Sequence, residues 1–365
     1  MQHPLDRTRM THELSAPEAS RGSFVSRLWA NLAVQDLLIA VYFACMLFAV
    51  LTAKGPGADE SIRTVLIDIG CLATGLLLTR GGILRSGSLL HGLVYRFTLF
   101  LCVFLSYFQL RSILPAVSPH SVDADLLAFD LRVFGVEPSL AWDRYVTPHT
   151  TEWFAFFYFG YFFLLSAHVL PIMLLGKNRL RVAHFALGIF MVVCTGHLLY
   201  MLVPGWGPYR QLAGQFEHPL EGGLFWRLVR ATVDAGGSQK DIFPSLHTAM
   251  PTYFAIYSYI HRRTFPFRFT WPFMAFAASQ IIVATMFLRW HYLVDIIAGL
   301  TLATTAALLS HRIVVREIAR RERRAVAPIF IPLDWRGISG RGGDPKDHDG
   351  DDGPREEAAS PPDSC

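Results

Sequence analysis

Residues 32–53 read LAVQDLLIAVYFACMLFAVLTA, an apolar run interrupted by one Gln and one Asp. About 20 mostly apolar residues in a helix cross the hydrocarbon core of a bilayer. The run is too long for a signal-peptide core, and no small-residue cleavage pattern follows it, so it reads as a retained membrane span. Seven further blocks repeat the pattern: Thr64–Thr79, Phe97–Val117, Trp153–Leu175, Ala183–Val203, Pro244–Ile260, Phe269–Leu288 and Tyr292–Ile313. Hydrophobic residues make up 52% of the 365 and charged residues 17%, where a soluble domain carries about 25% charge. A water-soluble enzyme is thereby disfavoured. With 33 basic and 29 acidic residues, the net charge is too small to imply a nucleic-acid partner. The expected fold is all-α, a polytopic membrane protein with about eight transmembrane helices.

Basic residues in short loops set orientation. Arg80, Arg85 and Arg96, then Lys177, Arg179 and Arg181, then Arg262, Arg263 and Arg268, and finally Arg312 to Arg324 fall on one side. That side is assigned to the cytoplasm together with both termini. The chain then divides into an N-terminal segment (1–31), three accessory spans (32–117), a membrane domain (118–313) and a basic, then acidic, disordered tail (314–365). Of the outer loops, the one near Ser118–Glu152 reads as an amphipathic surface helix. Ser121 is its cap, Asp123 and Asp125 lie in its first turn, and Leu126, Leu127, Leu131 and Phe134 form its apolar stripe. The loop near Pro204–Phe243 is rich in Gly and Pro. Cys45, Cys71, Cys102 and Cys194 lie inside apolar blocks with no metal spacing and read as small core residues.

Three stretches carry side chains capable of chemistry. Phe243-Pro244-Ser245-Leu246-His247 opens the sixth block, with Pro244 suited to a first helical turn and Ser245 and His247 beside the positive end of a helix, which favours an anion. Ser245 as a simple cap and His247 as an interfacial side chain is the plain alternative. Arg289-Trp290-His291-Tyr292-Leu293-Val294-Asp295 opens the eighth. His291 and Asp295 are four apart, so a carboxylate can fix one ring nitrogen and leave the other free as a nucleophile. An acidic residue near the start of an apolar helix is a functional candidate, although it also complements the helix dipole. Pro204-Gly205-Trp206-Gly207-Pro208-Tyr209-Arg210 follows the fifth block, and Arg210 can grip a phosphate with two prongs. The topology places all three stretches on one outer face.

Pro-Ser-x-His at 244–247 followed by His-x-x-x-Asp at 291–295 resembles the second and third motifs of the type 2 phosphatidic acid phosphatase superfamily. The segment Asp130–Pro138 and the Gly-Pro-Tyr-Arg loop at 207–210 resemble its inositol phosphorylceramide synthase branch. The resemblance covers about residues 120–310. It implies that His291 attacks phosphorus to form a phosphohistidine, that Asp295 orients it, and that His247 protonates the leaving oxygen and then activates the acceptor. Ser245, Arg210 and Arg289 would bind phosphate, with no metal and no cofactor. Two departures stand out. Phosphatases of the superfamily carry an Arg six residues before the nucleophile, where this chain has Thr285, and their first motif, a Lys seven residues before Arg-Pro, is absent. The expectation is a lipid phosphotransferase, inositolphosphotransferase-like, taking a phospholipid donor and a lipid acceptor. A lipid phosphatase acting on phosphatidate or a prenyl diphosphate, with water as acceptor, is the alternative, and a membrane transporter the alternative of another class.

Overall fold

The structure, a computed structural model, describes residues 23–236 and 240–335. Among them the chain is helical, with no named strand and one isolated bridge between Gly205 and Asp241. Helix α1 (Phe24–Asn31) precedes α2 (Val34–Thr52), α3 (Ala58–Arg80) and α4 (Leu89–Val117). Two short helices follow, α5 (Asp123–Phe134) and α6 (Pro138–Ala141), then α7 (Pro148–Leu175) and α8 (Arg179–Leu202). After α9 (Pro208–Gln211) and α10 (Leu224–Gly236) come α11 (Leu246–Ile260), α12 (Phe267–Phe287) and α13 (Leu293–Arg323).

Seven of the eight apolar blocks form helices long and apolar enough to cross a membrane. The exception is the sixth, α11, which has 15 residues and at 1.5 Å per residue reaches about 22 Å, short of a hydrocarbon core of about 30 Å. The block itself, Pro244–Ile260, is short, and the helix begins two residues into it. Ser245 is the N-cap, as the plain alternative had it, its hydroxyl accepting the N–H of Thr248 at 3.2 Å. Pro244 therefore stands outside the helix rather than in its first turn. A short helix is tolerated here because protein surrounds it: α11 packs on α12, α13, α8 and α7, and Tyr253, Phe254 and Tyr257 are fully buried.

Other expectations shift for similar local reasons. The loop near 204–243 contains α10, whose sequence LFWRLVRATVDAG is amphipathic and packs on α7. Glu152 of α7 accepts the N–H groups of Gly223, Phe225 and Trp226 at 2.8, 2.8 and 3.1 Å, capping the start of α10. Arg111 of α4 donates to the Ala235 carbonyl at its other end, at 2.9 Å. In α5 the stripe is only partly apolar: Leu126 is buried, Leu131 is exposed, and the buried face is completed by Asp123 and Asp130. Its N-cap is Val122, not Ser121. Cys102 and Cys194 are buried, but Cys45 and Cys71 face outward from their helices.

At the Arg-rich end of the bundle, Asp36 accepts from Arg80 (2.9 Å), Tyr95 (2.6 Å) and the Ala33 N–H (2.8 Å). Glu317 accepts from Arg321 (2.7 Å) and Arg320 (2.6 Å), and Arg321 also reaches the carbonyls of Asn31 and Ala327. The same end holds the stretch after α13. Arg80 and Arg96 donate to the carbonyls of Ile329 and Ile331, and Ile329 and Phe330 are buried. The tail is thus packed at least through Phe330, and its acidic part, within 336–365, lies outside the described residues.

Candidate active site

The site forms where α12 turns into α13. After Phe287 the chain reverses through Leu288–Tyr292, and the N–H groups of Trp290 and His291 both donate to the carbonyl of Thr285, at 2.9 and 3.2 Å. Arg289 adopts φ 67°, an uncommon conformation for a residue with a side chain. Its guanidinium is held by Asp143 at 2.8 Å and by the His218 carbonyl, and it lies 3.8 Å over the Phe216 ring. The loop after α8 closes on the same turn: the Tyr209 N–H donates to the Arg289 carbonyl at 2.7 Å. Gly207 sits at φ 96°, and a Cβ there would meet the Trp290 carbonyl oxygen at 2.3 Å. Only glycine allows that approach.

His291 lies just ahead of α13, whose N-cap is Tyr292. The His291–Asp295 pair therefore bridges a loop and a first helical turn rather than one helix face. Asp295 Oδ2 accepts the Tyr292 N–H at 2.9 Å and stands 3.4 Å from His291 Nδ1. The next two N–H groups of α13, from Leu293 and Val294, donate to Asp130 of α5 at 2.6 and 3.0 Å. Hence the positive end of this helix is occupied by the protein's own carboxylates, Asp295 complementing its dipole as the plain reading of that residue had it. Asp123 fixes the facing loop, accepting from the N–H groups of Trp206 (2.8 Å) and Gly207 (2.7 Å) and from the Tyr292 hydroxyl (3.1 Å).

The two histidine rings come together, with centroids 6.4 Å apart. His247 stacks on Tyr158 of α7 at 4.4 Å and packs on Tyr161 at 4.3 Å, and its Nε2 has no partner among the described residues. Both rings line a cavity of about 230 Å³ between α4, α7 and α10. Its wall is mostly aromatic, including Tyr107 and Phe108 of α4, Tyr158 of α7, Trp206 and Trp290; Asp241 is its one carboxylate among the described residues. Burial pushes the His291 imidazole down to about 4, against the opposing pull of the Asp241 charge. It is neutral at pH 7 and has a lone pair available. Burial alone would raise Asp143, but hydrogen bonds from His218 and from the backbone N–H groups of Glu217 and His218, with Arg289 beside it, hold its carboxyl below the usual range.

The sequence-derived candidates thus separate into two groups. His247, His291 and Asp295 converge, and Ser245 stands next to them, fully buried with its hydroxyl capping α11 and its N–H on the Asp295 carbonyl at 3.1 Å. Arg210 and Arg289 do not line the cavity. Arg210 is exposed and stacks 3.7 Å over Trp206, which does line it, while Arg289 is engaged by Asp143. Sequence reasoning missed Asp130, Asp143 and Asp241 as organising carboxylates, and Tyr107 as part of the wall. The signal for the α5 pair was its spacing, since Asp123 and Asp130 at i and i+7 share a helix face. Asp241 adjoins Ile242 and the Phe-Pro-Ser-Leu-His run and was legible only as a neighbour of it.

A family model described as the PAP2 superfamily matches residues 124–309, just over half of the chain. No curated protein and no solved structure matches it.

Proposed function

Given that the chain belongs to the PAP2 superfamily, and so is a multi-pass membrane phosphatase or phosphotransferase, we propose that it transfers a phospho-headgroup from a phospholipid such as phosphatidylinositol to a lipid alcohol through a phosphohistidine on His291. The observation that carries this reading is the pair of histidine rings 6.4 Å apart on one cavity, with Asp295 at 3.4 Å from His291 Nδ1. One nitrogen of His291 faces the carboxylate, which leaves the other to attack phosphorus. As the N–P bond forms, the bond from phosphorus to the diacylglycerol oxygen breaks, and His247 supplies the proton that oxygen takes up. His247 then receives the proton of the acceptor hydroxyl as its oxygen displaces His291. Arg210, exposed at the edge of the cavity over Trp206, would meet the phosphoryl charge during entry. Ser245 would hold the start of α11 against the phosphoryl oxygens. Arg289 would serve through Asp143, fixing the turn that presents His291.

Orientation belongs to the same proposal. Asp295 and the basic cluster Arg320–Arg324 lie at opposite ends of α13, so the excess of Arg on the far side would put both termini in the cytoplasm and the site on the outer face. The test is label transfer from a phosphorus-labelled donor in detergent–lipid micelles. Phosphatidylinositol with ceramide or diacylglycerol, phosphatidate, and a prenyl diphosphate would be run in parallel. Label appearing in a second lipid supports transfer, whereas label released as free phosphate would make the protein a phosphatase. His291→Ala should lower the rate by at least about 10³-fold; full activity in that variant, folded, would end the phosphohistidine reading.

A further inference from the structure

We propose that Asp241 and Tyr107 form a hydroxyl-reading pair that selects a lipid whose phosphodiester carries a hydroxyl-rich headgroup. The proposal rests on the reading that this cavity receives the donor headgroup, and it concerns residues that the phosphohistidine chemistry does not use. Tyr107 belongs to α4 and lies outside the residues matched by the family model. Its hydroxyl donates to Asp241 Oδ2 at 3.2 Å.

The placement of Asp241 is built by its neighbours. Lys240 is buried and its ammonium donates to the carbonyls of Ser118, Pro119 and His120 at 3.1, 2.9 and 3.2 Å, which ties the 240–242 segment to the end of α4. The Gly205 N–H donates to the Lys240 carbonyl at 3.3 Å, and Gly205 and Asp241 form a backbone bridge. The carboxylate is thereby held against Tyr107 on the cavity wall, with Oδ2 engaged and no described residue donating to Oδ1.

Charge then discriminates among headgroups. No Lys or Arg lines the cavity among the described residues. A phosphate monoester, approaching a double negative charge, would face the Asp241 carboxylate with no cation on the wall to offset it. A phosphodiester carries a single charge, and its headgroup hydroxyls are donors that a carboxylate accepts strongly. A headgroup ammonium would also suit a carboxylate among aromatic rings. Here, however, the Trp206 ring already lies under the Arg210 guanidinium at 3.7 Å and 5.3 Å from the Lys240 ammonium. The indole is already engaged by the protein's own cations, which leaves it no part in holding a headgroup ammonium. A ring of hydroxyls satisfies Asp241, rests its apolar edges on the aromatic wall and brings no positive charge.

The test measures binding without turnover. His291→Ala protein in micelles is titrated with lysophosphatidylinositol, lysophosphatidate and lysophosphatidylcholine, read by the fluorescence of Trp206 and Trp290 on the cavity wall. Tightest binding of the inositol lipid is expected. Adding Asp241→Asn should weaken it at least ten-fold and tighten lysophosphatidate, and Tyr107→Phe should weaken it by a smaller factor, about three-fold. Thermal unfolding of each variant separates a binding change from misfolding. An unchanged inositol-to-phosphatidate ratio in Asp241→Asn overturns the proposal, as does an equal loss for all three lipids or a selective loss for the choline lipid. Because no turnover is involved, these outcomes are independent of whether His291→Ala abolishes transfer.

Discussion

The two ends of α13 carry polar clusters built in opposite ways. At the far end the buried charged side chains have partners among the described residues: Glu317 with Arg320 and Arg321, Asp36 with Arg80, and Arg96 and Arg321 on backbone carbonyls. The atoms left unmet there include Gln35 Oε1 and His91 Nδ1, of an amide and an imidazole. At the near end, Asp295 Oδ1, His247 Nε2, Trp290 Nε1 and Arg289 Nε are buried without a partner among the described residues. Each such atom costs about 1–3 kcal/mol when left unmet. A satisfied cluster fixes the fold, whereas one with capacity in reserve is arranged to meet something that arrives. The contrast separates the residues that hold this bundle together from those proposed to act.

The largest effect expected from the contrast is at Asp295. Asp295→Asn still accepts the Tyr292 N–H but no longer supports a cationic or phosphorylated His291, so label transfer should fall by about 10²-fold or more, with little change in thermal unfolding. A variant that unfolds early yet transfers label normally would reverse the assignment of the two ends. Next is Asp36→Ala, which leaves Arg80 buried without its carboxylate and should cost about 3 kcal/mol of stability in detergent unfolding. Activity per folded molecule should be unchanged, and a parallel loss of activity would show that the ends are coupled. The smallest concerns Glu137, between α5 and α6, whose carboxyl burial pushes up to about 7 from 4.5 despite hydrogen bonds from Ser139. A carboxyl raised in the folded state stabilises fully below about 4.5, and that contribution disappears as pH rises through about 7. The melting temperature should therefore fall from about pH 5 to 8, and Glu137→Gln should flatten the slope. An identical slope in the variant would remove Glu137 from the near-end cluster.

Much of this was legible in the sequence, for physical reasons. Membrane spans such as 34–52 declare themselves because lipid demands long apolar runs. The approach of His291 to Asp295 is visible because four residues across a helix start always bring side chains near. By contrast α10 was hidden: its alternation of Leu, Trp, Arg and Val lies between Gly-rich flanks, and only packing on α7 shows which face is buried. The start expected for α11, with Pro244 in its first turn, failed because Ser245 caps the helix with its hydroxyl, which leaves Pro244 outside it. Arg289 and Arg210 looked alike as phosphate ligands in one dimension. Only the fold reveals that Asp143, distant in sequence, has claimed the first. Tyr107 lies in a span that resembled nothing, and its place on the cavity wall follows from how α4 leans on the segment after α10.

The carboxylates of α5 bear on how this protein can change over evolutionary time. Asp130 holds the first N–H groups of α13 and Asp123 holds the loop opposite, so the geometry proposed to be catalytic is written partly in a helix that has no part in the proposed chemistry. A descendant that kept His247, His291 and Asp295 but lost Asp130 would retain every signature residue while its histidine drifted off register. Such a lineage would pass for an enzyme in any motif comparison and be free to become a lipid-binding pseudoenzyme by a single codon change far from the signature.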